Sequence, residues 1–213
     1  MRITLFGTTG SVGGRVLAEA LSRGHEVLAV IRDARRRGGL PSQVRTRVGD
    51  VRQAADVAAA SAGQDVVISA TRPVSGREHE LTESAEALLA GAAQSGVRLI
   101  LVGGAAGLIV PGTDGATVVE DPDFPTELRA IALACDDQLA ACRADLGGAD
   151  WAYLSPPALL EPGERTGRYR LGADELLVDA AGDSRISLED FAVALVDEAE
   201  RPKHHRTRFT VGY

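Results

Sequence analysis

Aromatic side chains are scarce in this sequence: Phe, Trp and Tyr make up 4% of its 213 residues. A chain of this length can bury a sizeable core. With so few rings, that core has to be built from Ala, Val, Leu and Ile, which suits buried parallel strands under alanine-rich helices. Basic residues are outnumbered, with 23 Lys and Arg against 30 Asp and Glu and a formal net charge of −7. Nucleic-acid binding needs a basic face, so no nucleic-acid partner is expected. Only two cysteines are present. Cys135 and Cys142 stand seven apart on what reads as one helix, about 10 Å between Cα atoms at the helical rise. A disulfide needs less than about 7 Å, so free, packing thiols in a reducing compartment are expected. No apolar run is long enough to span a bilayer. Met1 opens directly into the strand-like Arg2-Ile3-Thr4-Leu5-Phe6 without a leader pattern, so a cytoplasmic protein with no membrane partner is expected. There is no Pro-, Gly- or Ser-rich linker and no repeat, which points to a single domain over 1–213.

Short apolar runs alternate with helical patterns through the first two-thirds of the chain. Strands are predicted at 2–6, 26–31, 45–48, 65–69, 98–102 and 151–154, and helices at 12–23, 54–60, 81–93 and 127–143. This alternation implies βαβ units, right-handed crossovers and a parallel α/β sheet. After Pro157 the pattern loosens: 168–171 and 175–178 read as short, antiparallel pieces. Ser187, with Asp190 three residues on, reads as the N-cap of a helix ending near Glu200 before Pro202. A last strand is expected at 208–211. This C-terminal excursion is expected on the substrate side of the sheet.

The strongest local signal is Gly7-Thr8-Thr9-Gly10-Ser11-Val12-Gly13, which follows the first strand and opens the first helix, the setting of a dinucleotide fingerprint. Gly7 permits a tight turn, Gly10 lets backbone approach a pyrophosphate, and Gly13 allows close packing of helix on strand. N–H groups at the helix start, around Thr9, Ser11 and Val12, then face the anion. A site preferring NAD usually ends its second strand in an acidic residue bonded to the ribose 2′-hydroxyl. Here the strand ends in Arg32, able to pair with a 2′-phosphate, and Arg35, Arg36 and Arg37 add positive field or form a solvated loop. NADP(H) is therefore favoured over NAD(H), although an inward Asp33 carboxylate would favour NAD. Asp50, in Gly49-Asp50-Val51, is placed to accept from the adenine amino group, to cap a helix, or both. Ser69-Ala70-Thr71 lies where it can border the ribose.

These residues, with Ser155-Pro156-Pro157 after the sixth strand, resemble the atypical, NAD(P)-binding branch of the short-chain dehydrogenase/reductase superfamily. Within it, the whole chain is similar to the NADH–flavin reductase group and to the biliverdin-IXβ/flavin reductases. The stretches Glu161-Pro162-Gly163-Glu164-Arg165-Thr166-Gly167 and Phe209-Thr210-Val211-Gly212-Tyr213 look especially like the bacterial flavin-reductase group. The resemblance implies a Rossmann-like, doubly wound parallel sheet with helices on both faces and NADP(H) across its C-terminal edge. It implies hydride transfer to a flat acceptor, with flavin as a candidate substrate. Ser155, Pro156 and Pro157 would border the nicotinamide, and Gly103 and Gly104, with Ala105 and Ala106, would form its floor.

One departure matters. Catalytic members of the superfamily carry a Ser and a Tyr-x-x-x-Lys pair. None of Tyr153, Tyr169 and Tyr213 has Lys four residues later, Lys203 is the only lysine, and the Gly103–Gly107 loop lacks the Ser. Alcohol–ketone chemistry with that acid is therefore not expected. Flavin or quinone reduction tolerates its absence, since the proton can come from water. Candidate catalytic residues are Ser155 and His79, the latter in the loop before a helix, where a solvated His is the plainer reading. His204 and His205 lack partners for a metal, and no metal is expected. Trp151 reads as packing. The acidic loop 108–125 is either a lid or plain surface. The expected partner is a small-molecule acceptor, and the protein a monomer or small homo-oligomer. The alternatives are a non-catalytic NAD(P) sensor of the NmrA type and a tailoring reductase or isomerase of an aromatic metabolite.

Overall fold

A computed structural model describes residues 1–213 apart from the Arg36 side chain, so Arg36's share of the basic field lies outside the described residues. Strands and helices alternate as β1 (Arg2–Phe6), α1 (Ser11–Ser22), β2 (Glu26–Ile31), β3 (Arg45–Val48), α2 (Ala54–Ser61), β4 (Val66–Ser69), α3 (Glu80–Ser95), β5 (Arg98–Val102), α4 (Thr126–Ala144) and β6 (Trp151–Ser155). There follow β7 (Leu159–Glu161), β8 (Arg170–Gly172), β9 (Arg185–Ser187), α5 (Leu188–Glu200) and β10 (Thr207–Gly212). Eight strands form one sheet in the order β3-β2-β1-β4-β5-β6-β10-β8, and β7 pairs with β9 in a separate ribbon. The large sheet is parallel through β10, and β8 lies antiparallel at its edge.

The two faces follow from alternation of side chains along each strand. Ile3 and Leu5 of β1 point to one side and pack with Val16 and Leu17 of α1 and Phe191 and Leu195 of α5. Phe6, Leu99, Trp151 and Tyr153 point to the other and meet α2, α3 and α4. Central strands β4 and β6 are buried along their whole length, as expected for strands covered on both faces. Burying each of these Leu, Ile or Phe side chains contributes about 1.5–3 kcal/mol. The edge strand β3, Arg-Thr-Arg-Val, stays largely exposed.

Register aligns the strand ends. Phe6 pairs with Val30 and with Ser69, Ser69 with Leu101, and Val102 with Leu154. The turns after β1, β2, β4, β5 and β6 therefore share one edge, and strand order reverses beside β1, the switch point at which open α/β sheets take ligands. The opposite edge is fastened by charge. Arg98 Nη1 donates to Asp150 at 2.8 Å, and its Nη2 donates to Glu198 and to the His204 carbonyl, each at 2.6 Å. Buried Glu198 also accepts the N–H groups of Lys203 and His204, and the His204 ring stacks on Phe209 at 4.1 Å.

Ser187 caps α5 by accepting from Asp190 N at 3.0 Å, as its spacing predicts. The segment 175–178 forms no strand. Leu176 N instead bonds Ile109 O, and Ile109 N bonds Asp174 O, so this stretch is spent on the loop after β5. The chain between β7 and β8 is strapped to the α1/α5 layer. Arg165 grips Glu19 through two bonds of 2.7 and 2.8 Å, Gly163 N bonds Glu189, and Gly167 N bonds Asp190. Hydrogen bonds from Arg165 outweigh burial and hold the Glu19 carboxyl below its ordinary range.

Candidate functional site

The glycine turn sits at this switch point, directly after β1. Gly7 has φ +88°, and a Cβ there would stand 2.3 Å from Ala70 O. A Cβ on Gly13 would stand 2.1 Å from Gly7 O, so α1 starts as close to the turn as backbone allows. Gly10 differs: its Cβ position meets only Gly7 O, at 3.4 Å, and otherwise faces open space. Gly10 is also the N-cap of α1, which has no side-chain cap and no acidic residue in its first turn. Thr9, Gly10 and Ser11 are exposed, Val12 packs partly on the core, and Thr8 is buried with no partner for its hydroxyl. An exposed, uncapped helix start with an open glycine fits a bound pyrophosphate.

Beyond β2, Arg32 is exposed. The Asp33 carboxylate is engaged locally: it accepts Arg35 N at 2.9 Å and Arg35 Nε at 3.0 Å. After β3, the N-cap of α2 is Gln53, so the helix-cap reading of Asp50 does not hold. The Asp50 carboxylate turns to Arg52 instead, accepting its N at 3.0 Å, Nε at 3.1 Å and Nη2 at 2.7 Å. These bonds hold the Asp50 carboxyl below its ordinary range. Val51 packs partly against the α2/α3/α4 core. After β4, Ala70 N bonds Phe6 O at 3.0 Å, and the Ser69 and Thr71 hydroxyls lie 3.2 Å apart.

At the ends of β5 and β6, Gly103 has to be glycine, because a Cβ would stand 1.9 Å from the Tyr153 ring. A Cβ on Gly104 would meet Cys135 at 2.8 Å. Pro156 is half-buried and Pro157 buried. Ser155 is 0% exposed, and its Oγ has no partner. The Ser155 hydroxyl is thus enclosed beneath the edge rather than presented on it. His79 is exposed at the N-cap of α3, on the rim of the same edge. The loop 108–125 is pinned at its root by Val118 N to Leu108 O and Val119 N to Ala106 O.

The chain matches the family model described as NAD(P)H-binding over residues 7–202. The chain belongs to the NAD(P)H-binding family. Among relatives, the uncharacterised protein YwnB of Bacillus subtilis is 36% identical over 99% of this chain and 98% of its own. A candidate exported protein of Burkholderia pseudomallei is 41% identical over the full length of both chains, with a TM-score of 0.88. A candidate NADH–flavin reductase of Streptococcus pneumoniae is 29% identical over 100% of this chain and 99% of the other, with a TM-score of 0.87. No helix among the described residues is long and apolar enough to cross a membrane.

In this member of the NAD(P)H-binding family every tyrosine hydroxyl is committed to structure. Tyr153 OH lies 2.8 Å from the Cys135 carbonyl and 3.0 Å from Gln138 Oε1, and burial pushes it well above its ordinary pKa. Tyr169 OH donates to Asp197, and Tyr213 OH lies 2.8 Å from Asp190. Lys203 follows α5 at the fastened edge, opposite the glycine turn. Two polar residues of the site went unread in the sequence: Thr8 and Arg52. The Asp-x-Arg spacing at Asp50 carries a signal for the second, since an Asp side chain readily accepts the backbone N–H two residues on.

Proposed function

We propose that this chain is an NAD(P)H-dependent oxidoreductase that passes hydride to a flavin, a quinone or a similarly flat acceptor. The glycine turn carries the reading, with two glycines that admit no Cβ and one, Gly10, open at an uncapped helix start. In this reading Gly7 and Gly13 shape the turn, while Thr9, Gly10, Ser11 and Val12 present the helix start to the pyrophosphate. Asp50 and Val51 border the adenine, and Ser69, Ala70 and Thr71 the ribose. Gly103, Gly104, Pro156 and Pro157 border the nicotinamide. The reduced nicotinamide, when bound, supplies the hydride. NADP(H) is preferred because Arg32 is exposed at the strand end, while the neighbouring Asp33 carboxylate is engaged by Arg35.

The three engaged tyrosines and the distant Lys203 favour an acceptor whose proton comes from water or from His79 on the rim. The likeness to the Streptococcus pneumoniae protein supports a flavin-type acceptor. The test is NADPH consumption with FMN, FAD, riboflavin and simple quinones, with NADH in parallel. Acceptor-dependent turnover favouring NADPH supports the reading. Tight NADPH binding with no turnover on any of them overturns it in favour of sensing of the NmrA type or of a tailoring reaction on an aromatic metabolite.

A further inference from the structure

Arg52 grips Asp50 at three points, and the geometry of that grip is specific. Asp50 Oδ1 accepts both Arg52 N and Nε, and Oδ2 accepts Nη2. The far side of the guanidinium, Nη1, donates to the buried Glu80, the first residue of α3, which also pairs with Arg77. Asp50 N in turn donates to Asp56 at 2.9 Å. A carboxylate offers about four acceptor positions. Arg52 takes two on Oδ1 and one on Oδ2, leaving one on Oδ2. The Asp50 side chain keeps 29% of its surface exposed, so it remains open to a ligand.

We propose that Arg52 is a positioning residue: by fixing the Asp50 carboxylate with one acceptor left over, it makes the base pocket selective for a 6-amino purine. The inference rests on the reading that places the adenine beside Asp50. A single fixed acceptor takes a hydrogen bond from an exocyclic amino group and repels a 6-oxo group, which brings a lone pair instead. A carboxylate free to rotate would hold that preference more weakly, because it could turn to water in either case. The match is one of charge and orientation, and a lysine cannot replace it, being a point donor without the planar fork.

The test is calorimetric binding of NADPH and of its hypoxanthine counterpart to the wild-type chain and to Asp50→Asn, Arg52→Met and Arg52→Lys, with thermal unfolding alongside. Wild type should prefer the adenine form by about tenfold or more, the worth of one hydrogen bond to a charged group. Asp50→Asn should bring that ratio close to one. Arg52→Met should lower it several-fold, and Arg52→Lys should not restore it. Equal weakening of both ligands in Arg52→Met, with the ratio intact, overturns the positioning role while leaving the cofactor reading standing. A ratio unchanged in Asp50→Asn removes the adenine from that place. Failure of wild type to bind either ligand would instead refute the cofactor reading itself.

Discussion

Alanine at Gly10 and at Gly13 should separate packing from ligand approach. At Gly13 the new methyl would stand 2.1 Å from Gly7 O and 2.6 Å from Gly7 C, both backbone. A carbon–oxygen contact relaxes at about 3.3 Å, so the start of α1 would have to retreat by about 1 Å. Overpacking of this kind costs about 1–3 kcal/mol, a fall of about 3–10 °C in melting temperature for a chain of this size. At Gly10 the backbone, φ −83° and ψ 170°, is open to any residue, and the methyl meets only one oxygen at 3.4 Å. Gly10→Ala should therefore melt within about 3 °C of wild type, the loss being that of a poorer helix cap. Both variants should bind NADPH about 10- to 100-fold more weakly, the worth of one hydrogen bond to a charged group. Gly10→Ala loses it by blocking the approach, and Gly13→Ala by moving the N–H groups. Thermal scans paired with calorimetry read both effects. Full affinity in Gly10→Ala would refute the cradle, and an unshifted melting temperature in Gly13→Ala would refute the close approach of helix to turn.

Arg32→Ala should weaken NADPH by about tenfold relative to NADH in the same titration; equal losses would take the 2′-phosphate away from Arg32. Folding lowers the Glu19 pKa below its ordinary 4.5. The stabilisation is therefore complete above that value and is lost as pH falls through the folded one. Glu19→Gln should flatten the acid limb of melting temperature against pH, and limbs that run parallel in the two proteins would refute this. Burial pushes the thiols of Cys135 and Cys142 up to about 11 and about 12. Alkylation near neutral pH should therefore wait for unfolding, and rapid labelling of the native chain would contradict it.

What the sequence made legible was local. β1, the glycine turn and α1 form one continuous stretch, and the Ser187–Asp190 cap spans four residues, so neighbours along the chain suffice to read them. The misread pieces depend on distant partners. Segment 175–178 looks strand-like, but its backbone is taken by Ile109. The burial of Ser155 likewise depends on a distant partner, since β10 pairs alongside with Thr210 opposite Ser155 and the side chain is enclosed. The carboxylates of Asp33 and Asp50 both turn to an arginine two residues on. The spacing is written in the sequence, but the direction of each side chain is not.

The guanidinium of Arg98 joins the approach to β6, the last turn of α5 and the turn into β10. Three separate connections thus meet at one side chain, all at the edge away from the glycine turn. The fold behaves as a chassis bolted at its base, with segments 71–79 and 108–125 carried at the other edge. A single substitution at Arg98 would slacken three connections at once, at the edge opposite the glycine turn.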